Sequence, residues 1–193
     1  TGSRVTSQDG AVTLTATDAA RVHADAGGVA VAAELASNSQ TGVAASFGAA
    51  VSINDVAISS SAVVQGSIVH AVRDISLAAT DSSVIDVLTI AGAGSAGLGG
   101  KGQIGVRLAG AGAGNVNRIA NASEARIQDS AVTSAQGGIR LDAADAARIH
   151  ADAGGVAIAL ALASTSQTGV QGTVGAAISL NEITNTTTAV IDQ

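Results

Sequence analysis

The chain contains no cysteine, proline, methionine, tryptophan or tyrosine, and Phe47 is its only aromatic residue. The lack of cysteine excludes a disulfide framework and any thiolate metal site. A globular core is normally filled by a few large side chains, and almost none are present. A glycan-cleaving cleft would also want aromatic platforms and clustered acids, so an enzyme is not expected. Basic residues are scarce. Nine Lys and Arg stand against fifteen Asp and Glu, for a net charge of −6, and nucleic acid demands a basic face. No leader is legible at Thr1-Gly2-Ser3. The longest charge-free run, Ala153 to Asn181, carries Ser164, Thr165, Ser166, Gln167 and Thr168 in its middle. That excludes a transmembrane helix, and no membrane span is expected in this segment.

What remains is Ala, Val, Ile and Leu in a chain that is 47% hydrophobic, with 24 Gly. Such material builds a thin core from small repeated pieces, and the sequence repeats. Asn54-Asp-Val56-Ala-Ile58-Ser-Ser60-Ser-Ala62-Val-Val64 returns as Asn117-Arg-Ile119-Ala-Asn121-Ala-Ser123-Glu-Ala125-Arg-Ile127. It returns again as Asn181-Glu-Ile183-Thr-Asn185-Thr-Thr187-Thr-Ala189-Val-Ile191. Alternate positions match and the intervening ones drift, the mark of a strand with one constrained face. The units are 1–64, 65–128 and 129–193. Units 1 and 3 align without a gap: Asp18 to Gly28 recurs as Asp145 to Gly155.

Ala147, Ile149 and Ala151 alternate with Arg148, His150 and Asp152, one buried face and one wet face. Gly154-Gly155 is read as a break in phase. Beyond it Val156, Ile158, Leu160 and Leu162 share one face and Ala157, Ala159, Ala161 and Ala163 the other, so that strand is expected to be covered on both sides. The alternation of Val29, Val31, Ala33 and Leu35 favours strand for 29–36 and 156–163; their alanine content leaves helix as the rival. The silk-like Gly110-Ala-Gly112-Ala-Gly114 predicts a sheet that approaches its partner closely. Large apolar residues change parity between Val51/Ile53 and Val56, which predicts a corner at Asn54, Asn117 and Asn181. Asp18, Asp81 and Asp145 each follow a strand signal and are read as turn residues rather than calcium ligands.

The expected fold is all-β, a parallel β-solenoid of three tandem repeats of about 63–64 residues. The apolar signals at Ile139, Val156 and Ile178 permit roughly three coils per unit, with two larger coils or long hairpins as alternatives. Equivalent Asn residues would then recur about every third coil.

The pattern Asn-x-Ile-x-Asn-x-Thr-x-Ala-x-Ile at Asn181–Ile191, Ser-x-Val-Thr at Ser130–Thr133 and Gly-Gly-Val-Ala-Ile-Ala at Gly154–Ala159 resembles repeats of giant bacterial surface proteins, the leukotoxin-type filamentous adhesins and related autotransporter-like passengers. The resemblance implies a secreted or cell-surface β-solenoid stalk with no catalytic residues and no cofactor. The implied partners are neighbouring repeats, further copies in fibres, and a host or neighbouring cell surface. The alternative reading is a calcium-stabilised or glycan-binding β-helix. Arg148-x-His150-x-Asp152 and Arg21-x-His23-x-Asp25 form the most site-like constellation, but unit 2 has Val84, Asp86 and Leu88 there, so a solvated face with Arg–Asp pairing is expected.

Overall fold

The computed structural model describes residues 1–36, 41–99, 104–163 and 168–192, and among them it is all-β with parallel strands. Each repeat supplies five strands. The first gives β1 (Arg4–Ser7), β2 (Val12–Asp18), β3 (Arg21–Ala36), β4 (Thr41–Val56) and β5 (Ser59–Gln65). The second gives β6 (Ile68–Ala71), β7 (Ile75–Asp81), β8 (Val84–Gly99), β9 (Ile104–Ile119) and β10 (Ala122–Gln128). The third gives β11 (Ala131–Ser134), β12 (Ile139–Asp145), β13 (Arg148–Ala163), β14 (Thr168–Ile183) and β15 (Thr186–Asp192). Among the described residues no helix is long and apolar enough to cross a membrane.

Every strand pairs with its own equivalent in the next repeat, giving five three-stranded parallel sheets: β1-β6-β11, β2-β7-β12, β3-β8-β13, β4-β9-β14 and β5-β10-β15. A repeat is therefore one layer. The estimate of three coils per unit is corrected: Ile139, Val156 and Ile178 lie in different sheets of the same layer, not in successive layers. The Ala-rich stretches 29–36 and 156–163 are strand, held on their neighbours in β8.

The three sheets of short strands enclose an apolar core in which Ile75, Leu77 and Ile127 are buried with Val64, Val69 and Ala125. Burying each of the larger side chains contributes about 1.5–3 kcal/mol. The two sheets of 16-residue strands pack face to face as an arm. Its interior is Ala50, Ala91, Ala93, Ala109, Ala111 and Ala113. At Gly28 and Gly48 the backbones approach so closely that a methyl group would overlap the carbonyl oxygens of Ala49 and Gly92.

The arm overturns two features of the phase reading. β3 and β13 run through Gly27-Gly28 and Gly154-Gly155 without a break. In β13 the exposed series is Arg148, His150, Asp152, Val156, Ile158 and Leu160, with Ala157, Ala159 and Ala161 turned inward. The change is in the chemistry of the outward face, from charged to apolar, and that face is not covered. In β4, Ser52 and Val56 are buried while Val51 and Ile53 are exposed, so alternation continues unbroken through Asn54. Large apolar residues point outward along the arm and inward where the chain leaves it.

The register also locates the one tolerated length difference. β1 and β6 are 64 residues apart in register, whereas β2 and β7 are 63 apart. The extra residue lies in the turn between β1 and β2, and again between β11 and β12. The turn ahead of the first strand of each layer instead demands left-handed backbone: Gly2, Gly66 and Asp129 have φ of 62°, 55° and 47°. Only Asp129 carries a side chain there, at a cost of about 1–2 kcal/mol. Asp129→Gly is expected to gain about 1 kcal/mol, read as a higher urea midpoint with an unchanged slope. Beside this turn, Ser67 Oγ accepts from Ser3 N (3.1 Å) and donates to the Gln65 carbonyl (2.8 Å). Ser130 Oγ accepts from Ser67 N (3.0 Å) and donates to the Gln128 carbonyl (2.6 Å).

Candidate functional site

The densest polar chemistry lies at the base of the arm. Asp18, Asp81 and Asp145 are the last residues of β2, β7 and β12, stacked in register directly before the links into β3, β8 and β13. Asp145 Oδ1 accepts from the Ala147 N–H at 3.0 Å, closing the turn. Across the base, where β9 passes into β10, Asn121 is buried and donates through Nδ2 to Asp81 Oδ1 (2.7 Å), Ser83 Oγ (3.0 Å) and Asp145 Oδ2 (3.1 Å). Ser83 Oγ donates to Asp81 Oδ1 at 2.8 Å, and Asn185 Nδ2 donates to Asp145 Oδ1. The Asp column and the Asn pair thus clasp the start of the arm to its return. In the first layer Ile58 stands where Asn121 and Asn185 stand, and packs at the apolar base beside Val56, Ile85 and Ile119.

Asp81 is fully buried and its Oδ2 has no hydrogen-bond partner among the described residues. Burial pushes its carboxyl above the ordinary range, the Ser83 hydroxyl opposes this, and the charges of Asp145 and Asp18 add to the rise. The folded chain therefore holds this proton more tightly than the unfolded chain does. The associated stability is greatest in acid and declines as pH rises from about 3.9, the unfolded Asp value, towards the folded one. Asp81→Asn keeps an oxygen for Asn121 and Ser83 and removes the charge. It is expected to raise the thermal midpoint at neutral pH and to flatten that acid-side slope, as a melting series from about pH 3 to about pH 8 will read.

Asn54, Asn117 and Asn181 lie inside β4, β9 and β14, not at corners, and they sit on adjacent strands, not every third coil. Their amides form a ladder: Asn54 Nδ2 donates to Asn117 Oδ1, and Asn117 Nδ2 to Asn181 Oδ1, each at 2.8 Å. A second rung two residues earlier supports it. Asn54 Nδ2 also donates to Ser52 Oγ (2.9 Å), Asn117 Nδ2 to Asn115 Oδ1 (3.2 Å), and Ser179 Oγ to Asn115 Oδ1 (2.6 Å).

The Arg-x-His-x-Asp faces are solvent-exposed. His23 Nε2 lies 3.5 Å from Asp25 Oδ2 and His150 Nε2 lies 3.6 Å from Asp152 Oδ2, while Arg21 Nη2 reaches the next layer to meet Asp86 Oδ2 at 2.6 Å. Two further charges point into the arm. Glu34 lies against Gly42, and Arg107 lies over Gly97 and Gly105, glycines whose missing Cβ leaves the space they fill. Ser83 and Ser67 carry no signal in the sequence, and the repeat motifs that include Asn121 and Ser130 do not show what those residues bond. Asn121 is legible as an inward residue of the repeat, but its partners lie 24, 38 and 40 residues away and carry no local signal.

No protein-family profile, curated protein or solved structure matches the chain.

Proposed function

We propose that the chain is a β-solenoid segment of a large extracellular filament or adhesin, secreted or held at a bacterial surface, whose work is mechanical rather than catalytic. The observation that carries this reading is the register: each of the five strands of a layer pairs with its own equivalent, so the free edges of the first and third layers are the same five strands. An edge of unpaired N–H and C=O groups is a template for another strand. The third layer of one copy meets the first layer of the next with the same in-register pairing that joins layers within the chain. Length and stiffness then follow from repetition, since each layer is stabilised by its neighbours. The ordered polar groups serve the same end: the Asn ladder and the Asp–Asn clasp run along the stacking direction and link layers. Electron microscopy of the purified chain tests the reading. Unbranched fibres of constant width are expected; dispersed single particles at every concentration would end it.

A further inference from the structure

The arm is built inside out for a structure in water. On the β4-β9-β14 face, the outward positions from Val43 to Ile53, from Val106 to Val116 and from Val170 to Leu180 hold only Val, Ala, Phe, Leu, Ile and Gly. On the β3-β8-β13 face, the outward positions from Gly27 to Ala33, from Ile90 to Ala96 and from Gly154 to Leu160 are equally free of polar groups. Polar side chains of the first two layers, Ser46, Ser52, Thr89, Ser95, Arg107 and Asn115, are turned into the slab and buried, while Gln171, Thr173 and Ser179 on the same inner side of the end layer are exposed. Apolar out with small and polar in is the pattern of strands in a lipid bilayer.

We propose that both faces of the arm are covered by the hydrocarbon of a lipid bilayer. The apolar band on the β4 face spans ten residue steps, about 33 Å at ~3.3 Å per residue, and the described band on the β3 face about 20 Å. A bilayer core is about 30 Å thick and transmembrane strands need about 9–11 residues. Charged residues bound the band at its base: Asp55, Arg118 and Glu182 on one face, and Asp25, Asp86 and Asp152 on the other. In the middle layer Gly92 and Gly94 floor a groove between Val29/Val31 and Val156/Ile158, and Gly112 and Gly114 do so on the other face, where the Phe47 ring leans over Gly110. The grooves run along the strands, parallel to acyl chains if the strands cross the bilayer.

A second copy fits the surface less well. Eleven large side chains stand exposed on the β4 face between Val43 and Leu180. At exposures from 39% to 75% they offer on the order of 1,000 Å², enough by area alone for the ~800 Å² per partner of a stable pair. A two-fold pair through that face would leave the other one, with Val29, Val31, Ile90, Val156, Ile158 and Leu160, in water. Lipid covers both at once. The free backbone edges of β3, β4, β13 and β14 are costly in hydrocarbon. Their coverage rests on the edge-to-edge joining of chains proposed above.

The chain has no tryptophan, so Phe47→Trp places a single probe in mid-band and Asp55→Trp one at the base. Both variants are mixed with phosphatidylcholine vesicles, with and without phosphatidylglycerol, and separated by flotation. The chain is expected to float with the vesicles. The Phe47→Trp emission should shift to the blue and be quenched at least about twofold more by nitroxides deep in the acyl chain than by nitroxides near the headgroup, with Asp55→Trp showing the reverse. Ala49→Arg, an outward change in mid-band, should lower vesicle partition about 30-fold without changing the melting midpoint in water. Protein left in the aqueous fraction overturns the proposal, and so does a blue shift that arises from self-association without lipid. Fibres in water without vesicle partition reject the lipid reading alone; vesicle partition by chains that stay single in the membrane rejects the end-to-end reading and, with it, the covering of the strand edges on which insertion of the arm rests.

Discussion

Gly48→Val is expected to lower the thermal midpoint of the chain by on the order of 10 °C, a loss of more than about 3 kcal/mol. Valine is the better strand former, so local propensity works against this result. The loss arises because Gly48 faces the opposite sheet of the arm, where any Cβ would overlap the Gly92 carbonyl and crowd that of Gly28. Those are backbone atoms, fixed by pairing to β8 and β3, and they cannot rotate away as a side chain would. The two sheets must separate, and the small side chains of the slab then lose contact along its length. Gly94→Val is the control. It makes the same change in the same arm, but on the outer face, where nothing lies within 4 Å of the added atom. Its midpoint should stay within a few degrees of the parent or rise. Circular dichroism melts of the two variants decide the matter, and equal losses would mean that the arm is not closely packed.

Asn117→Ala is expected to cost about 3 kcal/mol, read as a fall in the urea midpoint. Asn117 is 1% exposed and sits in the middle of the ladder. It accepts from Asn54 and donates to Asn181 and Asn115, so its truncation removes one partner from each of three other amides. A buried polar group left unpaired costs about 1–3 kcal/mol. Asn181→Ala makes the same chemical change in the exposed outer layer, where water replaces the lost partner, and it should cost less than about 1 kcal/mol. A ladder that merely fills space would show two small and similar losses.

Much of this fold is legible in the sequence, because period-two alternation and tandem matching survive even in a chain of small residues. The all-β class, the three units and the strand state of the Ala-rich stretches follow from them. What misleads is the assumption that large apolar side chains mark the inside. Along the arm Val156, Ile158 and Leu160 are outside and alanine is inside. Under that assumption the continuous strand through Gly154-Gly155 reads as a phase break and the strand through Asn54 as a corner. The number of coils per unit is hidden for a related reason. Apolar peaks at Ile139, Val156 and Ile178 cannot say whether they stack on one another or face different ways, and that depends on long-range pairing. The clasp of Asn121 on Asp81 is invisible for the same reason, since its partners meet only when the arm returns to its base. The Asp residues are visible as repeated turn-proximal acids, but what they hold is not.

The turn between the first and second strands of each layer, the one place where layers differ in length, bears on how such an array grows. A residue gained or lost there leaves every strand in register with its neighbour. The same slip within β4 or β9 would exchange the two faces of everything beyond it, turning valine and isoleucine into a slab that has room only for alanine and glycine. Gene duplication can multiply the units freely, but it must copy them whole. Among these three layers the difference in length falls in that turn alone, so further repeats of this kind are expected to keep near-constant spacing, broken by single residues there.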